Sequence, residues 1–131
     1  MTKLDKKITI TAALLGALTI AIGAFGAHAL KDLVDANAVS SFETGVRYQM
    51  YHVLALLIIG SISKIPNSTK KWVFRFFLFG MIFFSGSIYM LALNDVLPFS
   101  TKIFGPITPI GGLLFMIGWV RLALGLRTLN S

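Results

Sequence analysis

Residues 42–59 read FETGVRYQMYHVLALLII, and the two halves of this stretch differ in chemistry. The second half is apolar enough to enter a lipid bilayer, whereas the polar side chains of the first half include Glu43, Arg47, Tyr48, Tyr51 and His52. A charged pair that leads directly into a membrane span is costly unless nearby groups satisfy it. The stretch therefore predicts a membrane helix whose polar end is satisfied by neighbouring helices.

The composition of the whole chain favours a membrane protein. Of its 131 residues, 56% are hydrophobic and 13% are charged, and its mean hydropathy is +0.81. Soluble domains carry about 25% charged residues, so we expect a single membrane domain over residues 1–131. The chain has no cysteine, which excludes disulfides and thiolate metal sites.

Four apolar segments predict an all-α, four-helix transmembrane bundle. Each is long enough to cross a hydrocarbon layer of about 30 Å as a helix, and the expected spans are about 8–30, 42–63, 72–93 and 108–126. We expect the second helix to begin near Ser40 or Ser41, after an acidic connection. Thr108 is expected to cap the fourth helix, with Pro109 as its first residue.

The first segment has an alternative interpretation as a secretory signal peptide. Its basic start is followed by Ala27-His28-Ala29, which matches the A-x-A cleavage pattern. Because the apolar run is longer than is usual in signal peptides, we predict a retained span.

The distribution of positive charge predicts that both termini are cytoplasmic. With four spans, nine cations lie on the side of the termini and three on the other. The first group is Lys3, Lys6, Lys7, Lys64, Lys70, Lys71, Arg75, Arg121 and Arg127; the second is Lys31, Arg47 and Lys102. The positive-inside rule then gives an N-in, C-in orientation in the cytoplasmic membrane. Because the cations flank apolar segments and form no patch with interleaved aromatics, the net charge of +7 indicates no nucleic-acid partner.

Small residues indicate where the helices pack closely. In lipid, close backbone approach is a main source of helix association. Ala17, Ala21, Ala24 and His28 fall on one stripe of the first helix, which predicts a packing face with His28 inside the bundle. The further candidates for close packing are Gly86, Gly111, Gly112 and Gly118.

Polar side chains concentrate in the outer part of the predicted bundle. Glu43 and Arg47 are four residues apart and can pair along one stripe, while Tyr48 and His52 form a second stripe. The cluster is either a structural clasp, which we favour, or a binding pocket; its members are His28, Glu43, Arg47, Tyr48, Tyr51, His52, Ser85, Ser87, Tyr89 and Thr108. The inner halves of the spans hold few polar groups, which argues against a conduction path through one protomer.

Specific chemistry within this cluster is weakly indicated. His52 and Glu43 lie about 180° apart around their helix, so we expect no metal site, and His52 is expected to be hydrogen-bonded or to respond to pH. Arg47 could equally bind an anionic headgroup or form a local salt bridge with Glu43. No histidine–carboxylate arrangement accompanies Ser85, so we expect no catalytic residues.

Two regions near the membrane surfaces complete these expectations. Trp72 and Trp119 are expected to anchor the bundle at the inner interface. The apolar loop 96–107 either lies in the outer interface or folds over the polar cluster.

Several motifs in a fixed order resemble one family. They are Gly23-Ala24-Phe25-Gly26-Ala27-His28, Tyr48-Gln49-Met50-Tyr51-His52, Phe84-Ser85-Gly86-Ser87-Ile88-Tyr89, Thr108-Pro109-Ile110-Gly111-Gly112 and Gly118-Trp119. Over residues 14–124 the chain resembles a family of small four-span bacterial membrane proteins that is catalogued as a domain of unknown function. The resemblance implies a four-helix protein of the cytoplasmic membrane with a role in membrane integrity, and it implies no catalytic residues or cofactor.

Together these observations predict a non-enzymatic membrane protein that contributes to membrane integrity or to the stability of a partner membrane protein. Its apolar helices contact membrane lipids, and spare glycine faces favour a homo-oligomer. The alternative is a binder or transporter of a small amphiphile or ion that uses an outward-facing polar pocket.

Overall fold

The structure is a computed structural model that describes residues 1–130, and all its regular elements there are helical. Four long helices form it: α1 (Lys3–Ala27), α2 (Ala36–Ser61), α3 (Asn67–Ala92) and α4 (Ile107–Leu126). Short 3₁₀ turns lie at Ala29–Asp32 and Lys102–Phe104. The prediction of four helices is confirmed.

The helix starts follow local capping chemistry. Thr2 and Asp5 form a capping box at α1, with bonds of 3.0 and 3.1 Å. Asp35 caps α2 by accepting a 2.8 Å bond from the Ala38 amide. The prediction that α2 begins near Ser40 is therefore wrong, because Asp35 supplies the cap earlier in the chain.

Three of the four helices are long and apolar enough to cross a membrane. They are contained in Lys3–Asp32, Asn67–Ala92 and Lys102–Leu126. Helix α2 has 26 residues, a length of about 39 Å at 1.5 Å per residue. Its length suffices to span, but its N-terminal half is too polar for the helix to qualify by hydropathy.

The helices form two antiparallel hairpins that meet through their second and third members. Helix α1 packs along α2, α4 packs along α3, and α2 contacts α3. Within residues 1–130, no Cα atoms of α1 and α4 approach within 8 Å. The bundle is consequently open at its two edge helices.

The main core lies between the hairpins, in the half of the bundle where α1 begins and α2 ends. Its most buried members come from α1, α2 and α3 and include Ile8, Val53, Leu56, Val73 and Phe77. A smaller apolar cluster of Leu30, Phe42 and Ala92 closes the opposite end, where α1 ends and α2 begins.

The packing face of α1 differs from the prediction. Ala17, Ala21, Ala24 and His28 are exposed, so the predicted alanine stripe faces away from the other helices. The buried stripe instead contains Ile8, Ala12, Thr19 and Gly26. Ala17 lies about 160° around the helix from Thr19 at 100° per residue. Larger partner side chains on α2 determine which stripe is buried: Phe42 packs against Gly26 and Val53 faces Gly16.

Two predicted glycines on α4 do make close helix contacts. A Cβ at Gly111 would overlap the backbone of Phe84, and one at Gly118 would lie within 3 Å of the Phe77 ring. Gly112 has only an ordinary 3.7 Å approach to Phe84.

Among the remaining glycines, those that pack closely against another helix are not the predicted ones. Gly86 is not a close-packing residue, because its nearest contact would be 3.9 Å away. Sequence reasoning missed Gly45, Gly60, Gly80 and Gly125, each of which leaves no room for a Cβ.

Helix α3 contains one irregular turn. Residues Met81–Ser85 are wound as a π-helix, and Gly111 of α4 meets the backbone of this turn at Phe83 and Phe84. The sequence carries no signal for this turn that hydropathy or spacing detects.

Candidate functional site

His52 of α2 lies at the centre of an aromatic cluster. Its Nδ1 lies 2.6 Å from the Tyr48 carbonyl oxygen, and its Nε2 accepts a 3.0 Å bond from the indole N–H of Trp119. The ring stacks on Phe115 at 3.6 Å and meets the edge of Phe77 at 4.8 Å. Because indole nitrogen only donates, His52 is a neutral imidazole protonated at Nδ1.

This arrangement adds a hydrogen bond to the role expected for Trp119. Its N–H bonds to His52 within the bundle while the residue remains 45% exposed, so its role as an interfacial anchor stays a prediction. Trp72 is exposed and lies under Arg75 and Lys71, at 5.1 and 5.6 Å from the ring centre.

A second polar chain joins α1, α2 and α3. Gln49 donates a 2.7 Å bond to Thr19 and accepts a 2.7 Å bond from the Tyr89 hydroxyl. Thr19 in turn donates to the Leu15 carbonyl at 2.6 Å. Of these residues, only Tyr89 was in the predicted cluster. Gln49 was missed although an uncharged polar side chain in the apolar part of a helix is itself a signal of interhelical bonding.

Two serines fasten the irregular part of α3 to its neighbours. Ser85, at the end of the π-turn, donates a 2.7 Å bond to the Gly45 carbonyl of α2. Ser87 is hydrogen-bonded to Thr108 of α4. Thr108 is the second residue of α4 rather than its cap, so the prediction for its role at the helix start is wrong.

Arg47 and Glu43 do not pair. Both side chains are exposed, and Arg47 instead donates a 3.1 Å bond to the Thr44 hydroxyl one turn earlier. Tyr48 and Tyr51 are also exposed on this side of α2 and contact each other at 5.6 Å. The predicted Glu43–Arg47 salt bridge is therefore absent from the described chain.

His28 is separated from the other polar residues. It lies exposed at the end of α1, as the residue that follows the last helical position. The ten residues of the predicted cluster thus do not converge on one pocket. They form separate interhelical bonds at Ser85, Ser87, Tyr89 and His52, and an exposed surface that contains Glu43, Arg47, Tyr48 and Tyr51.

The end of the bundle at which α1 begins contains an ion pair that sequence reasoning missed. The Lys70 ammonium lies 2.7 Å from the Asp5 carboxylate, and the side chains are only 1% and 5% exposed. The hydrogen bond from Lys70, together with that from the Thr2 amide, lowers the pKa of Asp5 below its ordinary value of 3.8. Nearby, Arg121 of α4 donates to Thr69 and Ser68 of α3 at 3.1 and 3.3 Å.

The outer loop is held together by one side chain. The side-chain amide oxygen of Asn94 accepts bonds from the Thr101 backbone amide and hydroxyl at 2.9 and 3.0 Å. Val96, Phe99 and Ile103 are exposed, so the loop presents its apolar side chains outward and does not fold them over the polar residues.

Two of the larger clefts face the sides of the bundle. The first, about 390 Å³, lies at the outer end between α2, α3 and α4. The second, also about 390 Å³, lies between α1 and α3 with Gln49 and Tyr89 in its wall. Among residues 1–130, no group of three or more His, Cys, Asp or Glu side chains is placed to hold a metal ion.

Comparison with known proteins places this bundle in a family. A family model described as "Protein of unknown function (DUF423)" matches residues 22–112, over two thirds of the chain. The chain belongs to the DUF423 family. The resemblance predicted from the sequence motifs is thereby confirmed.

Relatives of this DUF423 chain are described as membrane proteins. A UPF0382 membrane protein of Staphylococcus saprophyticus is 44% identical over 120 residues, 92% of this chain and 96% of the relative. One from Haemophilus influenzae is 39% identical over 121 residues, 92% of this chain and 93% of the relative. No solved structure matches the chain. An integral membrane protein of unknown function is the description that the family and the helices support together.

Proposed function

We propose that this DUF423 protein is a non-enzymatic integral membrane protein of the cytoplasmic membrane that supports membrane integrity or the stability of a partner membrane protein. One observation carries the proposal. Every buried side-chain nitrogen and oxygen in the described chain has a hydrogen-bond partner, and most of these bonds join one helix to another. Polar groups that are used to hold helices together favour a structural role over a reactive one.

The proposed topology has four spans with both termini in the cytoplasm. It is supported by the three long apolar helices and by the length of α2, whose polar outer half is partly satisfied by Tyr89 and Trp119. Reporter fusions test it. Fusions at residue 1, residue 66 and the C-terminus should report cytoplasm, and fusions at residues 33 and 98 should report the outside. A fusion at residue 66 that reports the outside would refute the topology.

We also propose that the protein self-associates. The open edges of the bundle support this proposal, because α1 and α4 each expose long apolar faces and do not cover one another. Native mass spectrometry of the protein released from lipid nanodiscs should give one discrete oligomer. A bare monomer would refute self-association and direct attention to a partner protein.

The role in membrane integrity is tested in the host bacterium. Deletion of the gene should increase entry of a membrane-impermeant dye under mild detergent stress, and the wild-type gene should reverse the effect. The Gly111→Ala variant should fail to do so, because it disrupts packing of α4 on α3. Unchanged dye entry in the deletion strain under all stresses would refute the proposal.

The alternative role, binding or transport of a small amphiphile or ion, has one observation in its favour. Although the predicted outward pocket is not assembled, the cleft at the outer end of α2, α3 and α4 combines apolar walls with hydroxyl groups.

A further inference from the structure

Two cations near the start of α3 converge on the indole ring of Trp72. The Arg75 guanidinium carbon lies 5.1 Å from the centre of the ring, and the Lys71 ammonium lies 5.6 Å from it. All three side chains are exposed. They form one basic and aromatic surface at the end of the bundle where α3 begins.

The polar groups of this surface are all donors that the protein leaves free. Ammonium, guanidinium and indole groups carry N–H donors and no acceptor. Within residues 1–130, the lysine and arginine side chains that donate hydrogen bonds are Arg47, Lys70 and Arg121. Lys71 and Arg75 therefore keep their N–H groups for an external partner, which must accept hydrogen bonds.

The surroundings of this surface favour a partner with net negative charge. The sequence has no Asp or Glu between Glu43 and Asp95, and Asp5, at the same end of the bundle, is held by Lys70 at 2.7 Å. The two free cations lie no more than about 11 Å apart, which is on the order of one Debye length, so an anion near the ring interacts with both. A zwitterionic headgroup would bring an ammonium that finds no carboxylate here and an indole already covered by cations.

The Arg75 side chain is directed toward the start of α3. Its Cα lies eight residues after Asn67, the first residue of the helix, or about 12 Å along it, whereas that of Trp72 lies at about 8 Å. Side chains of a helix lean toward its N-terminus, and Arg75 accordingly reaches the Trp72 ring. Its stem can stay in the apolar layer while its charge lies at the headgroup level, where tryptophan is also enriched.

The same face of α3 becomes apolar farther along the helix. Arg75, Phe79 and Ile82 have the spacing i, i+4 and i+7, which places them on one face. Phe79 and Ile82 are 52% and 60% exposed, and α3 is long and apolar enough to cross a membrane. One face thus offers cationic donors near its end and apolar contact beyond them. A phospholipid with an anionic headgroup and an acyl chain has the same order.

We propose that this face of α3 binds one anionic phospholipid, in the leaflet at the end where α3 begins. The phosphate accepts hydrogen bonds from the guanidinium fork of Arg75, and Lys71 adds a second positive charge. An acyl chain lies along Phe79 and Ile82. The inference rests on the proposal that α3 crosses the membrane. It holds in either orientation of the bundle and does not depend on a role in membrane integrity.

Lipid titration of the purified, delipidated full-length protein tests the proposal. Native mass spectrometry compares phosphatidylglycerol with phosphatidylcholine of identical acyl chains, and glycerol 1-phosphate serves as a headgroup without chains. Because each basic residue near an anionic headgroup contributes about fivefold in affinity, the wild-type protein should prefer phosphatidylglycerol by roughly 25-fold. Excess glycerol 1-phosphate should not displace the lipid.

Matched variants test whether the preference comes from this surface. Arg75→Gln and Lys71→Gln should each reduce the preference about fivefold, and the double variant should bind both lipids equally. Arg127→Gln is the control, because it removes an exposed cation at the same end of the bundle but after α4, and it should leave the preference unchanged. Arg75→Lys keeps the charge and should retain most of the preference, which provides a second variant if Arg75→Gln fails to fold.

Distinct results would overturn the proposal. Equal affinity of the wild-type protein for the two lipids would show that the cations do not select an anionic headgroup. An equal loss in Arg75→Gln and Arg127→Gln would assign the preference to diffuse charge at this end of the bundle. Displacement by glycerol 1-phosphate would assign the cations to a soluble phosphate.

The crossing of α3 is checked separately by the reporter fusions at residues 66 and 98. If both fusions report the same side, α3 does not cross the membrane and the lipid site is refuted with the topology. If they report opposite sides, a failure in the lipid titration refutes the site alone.

Discussion

Removing Lys70 should destabilise the protein more than removing any other of its lysines. Its ammonium is buried against Asp5 at 2.7 Å, and it joins the start of α3 to the start of α1, 65 residues away. Replacing Lys70 by Met keeps an apolar stem of similar length but leaves the Asp5 carboxylate without its cation. We expect Lys70→Met to lower the free energy of unfolding by about 3 kcal/mol, the cost of breaking a buried ion pair.

Asp5 also stabilises the protein through its capping box with Thr2, and a set of variants separates this contribution from that of the ion pair. Asp5→Leu removes the ion pair and also the capping box with Thr2, which adds about 1 kcal/mol. The double variant Asp5→Leu with Lys70→Met removes both charges and should lose only about the capping contribution, because an apolar replacement of a buried pair is often close to neutral. Strong non-additivity of this size is the expected signature of a direct interaction.

Thermal unfolding in neutral detergent, followed by circular dichroism, measures these differences. A loss of 3 kcal/mol corresponds to about 10 °C in the unfolding temperature for a chain of this size. Lys71→Met is the matched control, because the neighbouring Lys71 is exposed and should change the free energy by less than about 0.5 kcal/mol. The reasoning is refuted if Lys70→Met resembles Lys71→Met, or if the two single losses simply add in the double variant.

Three further predictions follow from individual contacts. Because the pKa of Asp5 is lowered in the folded protein, its stabilising contribution is complete above the ordinary value of 3.8 and is lost as the pH falls through the lowered value. The stability gap to an Asp5→Asn variant should therefore narrow as the pH falls below 3.8, and a gap that does not narrow on acidification contradicts this. Gly111→Ala should lower the free energy of unfolding by about 3 kcal/mol or prevent folding, since its methyl group would overlap the α3 backbone. Gly112→Ala is the control and should be neutral or stabilising by up to about 1 kcal/mol. Equal effects of the two variants in thermal unfolding in detergent would contradict the close contact between α4 and α3. Gln49→Leu should lower the free energy of unfolding by about 1–3 kcal/mol, because it leaves the Tyr89 hydroxyl without its acceptor. The double variant with Tyr89→Phe should recover part of that loss. If it recovers none, the hydrogen bond between Gln49 and Tyr89 is contradicted.

The sequence by itself determined the class of the protein, its four helices and its family. These properties follow from local composition and order: long apolar runs, cations at their ends and motifs in a fixed sequence. The helix α4 illustrates this, since its observed start at Ile107 lies within two residues of the expected start at Pro109. The N-terminal cap of α2 was harder to assign from the sequence. Asp35 caps this helix by accepting from the Ala38 amide, so the observed helix begins earlier than the predicted one.

Which faces meet was decided only by the tertiary structure. Both stripes of α1 consist of small and apolar residues, so periodicity could not distinguish the alanine stripe from the stripe of Ala12 and Thr19. The choice depends on Phe42 and Val53 of another helix, which fit the grooves left by glycine on α1.

The partners of the polar side chains were likewise not predictable from the sequence alone. Sequence spacing paired Glu43 with Arg47 because they are neighbours on one helix, yet the buried ion pair joins Asp5 to Lys70 across 65 residues. His52 likewise takes its partner, Trp119, from a helix 67 residues away. Such partners depend on the relative depth and rotation of packed helices, which no single helix encodes, so only the assembled bundle determines them.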